Sequence, residues 1–257
     1  MSVLMRASFR AAGVWSTIRL RLTVKRYAWG MALHGIRGIT FDAGGTLIEP
    51  NPGVGAIYAE VAAKHGVTAN PAELDARFRA VFKRMRPAPV DAVSEATERA
   101  FWTKLAHEVF SGIANDGTFD GMFPQLWNAF SEPGRWQLRP GAVETLSKLR
   151  ARGFRLAILS NFDSRLHAVL AGLGITAMVD GVFISVDVGV AKPDPRIFDH
   201  AARTLGLEPC QLLHVGDSVM ADAAGAVSAG WSAALLGGQF PDAVPIAELS
   251  EVPALLG

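Results

Sequence analysis

Residues 38–50 read GITFDAGGTLIEP, an apolar run that stops at a carboxylate, Asp42, with two glycines, a threonine and a leucine behind it. A charge at the end of a buried strand is costly to hold unless a cation or hydrogen-bond donors meet it. The same pattern returns downstream. LAILSN (156–161) ends in Ser160 and Asn161, LHVGDS (213–218) ends in Asp217 and Ser218, and Lys192 lies shortly after VFIS (182–185). Segments with helical spacing separate these runs: 140–153, closed by Gly153; 164–174; 195–206, with Asp194 as its N-cap; and 220–230. A last strand is expected at SAALLG, 232–237. Short apolar strands alternating with helices predict an α/β fold with a parallel sheet covered on both faces.

One stretch breaks the alternation. From Val54 to Phe130 the chain is rich in Ala, Glu, Lys and Arg, has apolar residues at helical spacing, and contains no strand-like run. Four helices are expected there: one ending at Gly66, one opening at Pro71, one capped by Ser94, and one over 119–130. The predicted organisation is therefore a core made of residues 31–49 and 136–257, with a helical cap over 50–135.

The bulk composition suits a globular domain. The 257 residues include 25 basic and 24 acidic side chains, a formal net charge of +1, which gives no electrostatic case for nucleic acid. A single cysteine, Cys210, rules out an intrachain disulfide and fits a reducing, cytoplasmic setting. No run approaches the ~18 apolar residues of a membrane helix. Residues 1–41 carry Arg6, Arg10, Arg19, Arg21, Lys25, Arg26 and Arg37 without one acid. Residues 1–30 read as an extension without fixed structure; an organelle-targeting segment is the second reading and a surface helix the third. Oligomeric state is not legible.

In a parallel sheet the carboxyl ends of the strands share one edge, where ligands bind. Asp42 and Asp217 are hard oxygen donors, and Asp222 on the following helix can return to the same point. Such donors suit Mg²⁺. Gly44 and Gly45 let the backbone turn, so that a carbonyl can also face a metal. Thr46, Ser160 and Lys192 offer two hydroxyls and an ammonium to a transferring phosphoryl group. There is no GxxxxGK[ST] stretch, so a P-loop reading fails. His214, inside a strand, reads as core.

Taken in order, DAGGT, ILSN, AKPDP and GDSVMAD resemble the four motifs of the haloacid dehalogenase (HAD) superfamily, over about residues 36–240. The stretch 136–166 with KPDPRIF looks closest to the HAD-like hydrolase domain-containing protein 3 (rhythmically expressed) group. The resemblance implies a Rossmann-like core with a C1 cap inserted after the first motif. It implies a Mg²⁺-dependent phosphatase acting on a small phosphorylated compound through an aspartyl-phosphate. In that scheme Asp42 is nucleophile and metal ligand, with Gly44, Asp217 and Asp222 also at the metal. Thr46, Ser160 and Lys192 join the catalytic set, and Gly45, Ser160, Asn161 and Lys192 bind phosphate.

One position departs from the family. HAD phosphatases usually carry a second aspartate two residues after the nucleophile, as general acid and base; here it is Gly44. Losing such a group typically costs ~10²–10⁴ in rate. Glu49 and Asp163 are possible substitutes, Asp163 being better explained as a helix cap. Alternatives are a binding or regulatory module, a metal-free 2-haloacid dehalogenase, against which Asp217 and Asp222 argue, or a phosphonatase using Lys64, Lys83 or Lys104 as Schiff base.

Overall fold

The computed structural model describes residues 7–11, 14–18, 33–85 and 92–257. Strands β1 (Ala7–Ala11) and β2 (Val14–Ile18) pair antiparallel as a unit of their own, Ala7 opposite Ile18. The expectation of an extension without fixed structure covers residues 1–30; these two paired strands fall inside it and depart from it, and the rest of that segment lies outside the described residues.

From Leu33 on, the chain builds the predicted α/β fold. Strand β3 (Gly38–Phe41) leads into β4 (Ile48–Pro50), after which come helices α1 (Val54–Lys64), α2 (Pro71–Met85), α3 (Glu95–Val109) and α4 (Asp116–Ala129). Strand β5 (Trp136–Leu138) returns antiparallel to β4, so one two-stranded ladder carries both passages into and out of the helical insert. Then follow α5 (Ala142–Ala151), β6 (Arg155–Ser160), α6 (Arg165–Gly172), β7 (Gly181–Ile184), the single turn α7 (Ser185–Val188) and α8 (Pro195–Leu205). Strand β8 (Leu212–Gly216), α9 (Gly225–Ser228), β9 (Ser232–Leu236) and β10 (Val244–Ile246) complete the chain.

The main sheet has the order β10-β9-β8-β3-β6-β7 and every pairing in it is parallel. Residues of β3, β6, β8 and β9 are almost all buried, as expected of strands covered on both faces. Because β3 is central, Asp42 emerges between the ends of β6 and β8, and its N–H donates to the Val215 carbonyl at 2.9 Å.

Local chemistry explains the element ends. Ser94 caps α3, its hydroxyl accepting from the Thr97 N–H at 3.3 Å, and Asp194 caps α8 through the Arg196 N–H at 2.9 Å. Pro71 opens α2 where a missing N–H costs nothing. Two points differ from the sequence reading. The helix expected from Met220 opens as a π-helical turn, Val219–Ala224, before the short α9. An extra edge strand, β10, follows the one expected to be last.

The insert has a buried cluster of its own, including Tyr58, Leu74, Leu105, Phe110, Met122 and Leu126. Its tightest joint is Gly55 on α1, buried, whose N–H donates to Asp75 Oδ1 at 3.1 Å. A Cβ there would collide with the Pro71 carbonyl and lie 2.7 Å from Asp75 Cβ, so only glycine lets α1 and α2 approach this closely. Gly55→Ala is expected to cost about 1–3 kcal/mol through overpacking, read as a lowered urea midpoint with the m-value unchanged.

Candidate active site

Strands β3, β6 and β8 deliver their carboxyl ends to one place, and Lys192 reaches in from the loop after α7. Its ammonium, with the side chain only 1 % exposed, donates to Asp42 Oδ1 at 2.8 Å, to Asp222 Oδ1 at 2.6 Å and to the Leu159 carbonyl at 2.7 Å. Burial alone would strip the proton from this lysine. The negative charges of Asp222 and Asp42 prevail and raise its pKa instead. Asp222 is driven the other way: burial opposes its charge, but Lys192 and His214 hold its carboxyl well below the usual range.

The three acids come together as expected, each offering a carboxylate oxygen within 4.8 Å of the others. Asp42 and Asp222 are buried, while Asp217 opens to solvent. Atoms packed around the Asp217 carboxyl, together with the charges of Asp42 and Asp222, push it up to about 6. The donor set suits a hard divalent cation. Three carboxylates against one ammonium, with His214 neutral, leave two negative charges to balance, and all the ligand atoms are oxygens.

The other named residues divide into those whose polar atoms are taken and those whose are open. Thr46, fully buried, donates to Asp217 Oδ1 at 3.2 Å, so its hydroxyl serves a carboxylate. Asn161 clasps the Lys192 backbone from both sides, Nδ2 to the carbonyl at 2.8 Å and Oδ1 from the N–H at 2.7 Å. That amide holds the lysine loop in place. Ser160 is buried at the end of β6. Gly45 has φ 85°, and a Cβ there would stand 2.8 Å from Asp217 Oδ2, so the turn must be glycine for both backbone and packing reasons. Gly44 differs: φ is not positive and a Cβ would meet nothing within 4 Å.

Neither substitute acid is free. Asp163, completely buried, caps α6 through the Arg165 N–H at 3.1 Å and binds the Arg165 guanidinium with both oxygens at 2.7 Å. Glu49 accepts from Gln137 Nε2 at 2.8 Å and lies 3.7 Å from Arg139. Lys64, Lys83 and Lys104 are exposed, which suits surface helices and gives no buried amine for a Schiff base.

His214 lies in the core, as its place inside a strand predicts. It is buried and packs edge-on against Phe198 at 5.6 Å, yet Nε2 also lies 3.0 Å from Asp222 Oδ1 and Nδ1 lies 2.8 Å from Thr40 Oγ1. Burial, and then the nearby Lys192 charge, lower its pKa, so the ring is neutral. The carboxylate assigns Nε2–H as donor, and the Thr40 hydroxyl then donates to Nδ1. A histidine two residues before a strand-end glycine carries no sequence signal for this; the cue is its place beside the buried Asp222 carboxylate.

The haloacid dehalogenase-like hydrolase family profile matches residues 36–230, which contain every residue of this cluster. The chain belongs to that family. Haloacid dehalogenase-like hydrolase domain-containing protein 3 of Homo sapiens is 36 % identical over 207 residues, 79 % of this chain and 82 % of that protein. Two solved structures share the fold. The HAD-hydrolase YfnB of Bacillus subtilis, bound to magnesium, superposes with a TM-score of 0.67 at 20 % identity, covering 86 % of this chain and 98 % of its own. The L-2-haloacid dehalogenase of Xanthobacter autotrophicus gives 0.65 at 20 % identity, with the same coverages. Among the described residues no helix is long and apolar enough to cross a membrane.

Without a cation the folded protein holds the Asp217 proton more tightly than an unfolded chain, so that group costs stability in full above its folded pKa of about 6, and the cost fades as pH falls from there toward the ordinary value of 3.8. A divalent cation held by the ionised carboxyl would offset that cost. Saturating Mg²⁺ is expected to raise the melting temperature clearly at pH 7.5 and far less at pH 5, with Asp217→Asn removing most of the pH 7.5 gain; differential scanning fluorimetry reads all three.

Proposed function

We propose that this HAD-like hydrolase is a Mg²⁺-dependent phosphatase that works through phospho-Asp42 on a small phosphorylated compound. The observation that carries the reading is the convergence of Asp42, Asp217 and Asp222 beside a buried, charged Lys192. Asp42, Asp217 and Asp222 would hold the ion, with the Gly44 carbonyl a further candidate ligand. When bound, Mg²⁺ offsets the charge of substrate phosphate beside these carboxylates and polarises its oxygens.

The chain's own atoms do the rest. Lys192 fixes Oδ1 of Asp42, which turns Oδ2 to attack. The Oδ2–P bond forms as the bond from phosphorus to the leaving oxygen breaks, and that oxygen departs with the electron pair. Water then cleaves the acyl phosphate and returns Asp42 as carboxylate. Ser160 and the Lys192 ammonium stand at the strand edge where a phosphoryl group would rest. Asn161 and Thr46 act one step back, on the Lys192 loop and on Asp217. With glycine at position 44 the leaving oxygen receives no proton from that site, which favours groups that leave as stable anions.

A dehalogenase reading shares the fold, as the Xanthobacter enzyme shows. The cluster Asp42, Asp217 and Asp222, with its excess negative charge, favours cation-assisted phosphoryl transfer instead.

Gly44→Asp tests how complete the remaining machinery is, since a Cβ at that position meets nothing within 4 Å. Against alkyl phosphates it should raise kcat/KM by ~10²–10⁴, with a much smaller gain on acetyl phosphate. Asp42→Asn should abolish phosphate release from both. Release that survives Asp42→Asn would remove the aspartyl-phosphate route.

A further inference from the structure

Between the insert and the core lies a cavity of about 100 Å³ whose walls include Tyr58, Trp102, Trp127, Trp136, Phe162 and Arg165. Apart from the arginine these six are flat rings, and aliphatic Leu126 and Val54 join the apolar lining. Phe162, one of the lining residues, stands two residues beyond Ser160, the last residue of β6, which ends at the same sheet edge as β3 and Asp42. The cavity is bounded on the insert side by all four helices, α1 to α4, and the seam is held by bonds across it. Ser164 N–H donates to Glu95 Oε1 at 2.9 Å, and Arg165 Nη1 donates to the Trp127 carbonyl at 2.9 Å.

The charge on Arg165 does not face the cavity unpaired. Both Asp163 oxygens hold the guanidinium at 2.7 Å, and its carbon lies 3.5 Å from the Trp127 ring centroid, stacked as a cation on a π face. What remains for a ligand is a neutral aromatic slot. An apolar cavity of roughly this size takes a single ring: about 150 Å³ accepts benzene.

Resting on the phosphatase reading above, we infer that this cavity receives the uncharged ring of an aryl phosphate monoester. Two independent observations meet here. The slot fits a ring, and Gly44 leaves the departing oxygen without a proton donor, which a phenolate tolerates far better than an alkoxide. In the reaction the Asp42 Oδ2–P bond forms, the P–O(aryl) bond breaks, and the phenolate takes its proton from solvent.

The test compares binding of phenylphosphonate and methylphosphonate, with Mg²⁺ present, by isothermal titration and by the fluorescence of Trp102, Trp127 and Trp136. Burying one ring predicts roughly 10- to 100-fold tighter binding of the phenyl compound, with a change in tryptophan emission that methylphosphonate does not cause. Leu126→Trp, which fills the cavity, should make the two compounds bind alike; Val54→Phe, at a partly buried lining position, repeats the test should Leu126→Trp fail to fold. Equal affinities in the unaltered protein, no binding of the phenyl compound, or a preference untouched by the filling variants would overturn the inference. Asp42-dependent turnover of acetyl phosphate separates the two claims. Turnover without ring preference leaves the phosphatase and removes the aryl substrate; ring preference without turnover leaves a ring-binding cavity and removes the phosphatase, and with it the substrate role.

Discussion

A single buried ammonium organises the catalytic end of this molecule. Lys192 Nζ bonds to Asp42 at the end of β3, to the Leu159 carbonyl within β6, and to Asp222 in the turn after β8. An ammonium so deeply buried is tolerable only because two carboxylates and a carbonyl replace its water shell. The reverse holds for Asp222, which is 2 % exposed and takes bonds from Lys192, His214 and the Ser218 N–H. Each charge is the other's condition for staying ionised. Losing one partner would strand the other, a cost of several kcal/mol for buried pairs, so the site is also a structural joint among three adjacent strands.

That joint is positioned by residues with no chemistry of their own. The amide of Asn161 grips the Lys192 backbone, and the Ser185 hydroxyl bridges the Phe162 N–H at 3.0 Å and carbonyl at 3.1 Å. These bonds tie the loop after β6 to the loop after β7, the two segments that carry Ser160 and Lys192. Thr46 and Gly45 do the corresponding work between the ends of β3 and β8. Gly45 lets the Asp217 carboxyl approach the backbone, and Thr46 donates to it. The polar edge of the sheet is thus held to a small tolerance by bonds between loops, while the strands supply only the platform.

Much of this was legible in sequence because strand ends are marked by an abrupt change from apolar to polar. Asp42, Ser160 and Asp217 each sit at such a change, and the parallel sheet brings them to one edge. The helical insert was equally visible through its capping residues, Ser94 and Pro71 among them. What escaped has a common cause: it depends on who faces whom across long separations. His214 and Thr40 are 174 positions apart, and nothing in the local pattern distinguishes a core histidine from one that holds a carboxylate. Asn161 and Thr46 carry the right groups for substrate contact, but their geometry commits them to neighbours. Asp163 meets Arg165 two residues later, a pairing any local reading allows, yet its full burial comes from the packing of the insert over the core.

The missing second aspartate and the aromatic seam belong to opposite sides of the site, one from β3 and one from the insert, and their consequences converge. An enzyme accelerates a step only by interactions stronger in the transition state than in the bound substrate. A proton donor at position 44 would be one such interaction, because charge on the leaving oxygen grows only as the bond breaks. Glycine removes it, and an apolar slot cannot replace it, since gripping a neutral ring binds substrate and transition state about equally. The slot can instead select compounds whose leaving oxygen needs no proton, by admitting a ring that spreads the charge over its own π system. On the proposed reading the insert would select bonds weak enough for Asp42 to break, and the burden of catalysis would move from the protein's acid to the substrate's own electronics.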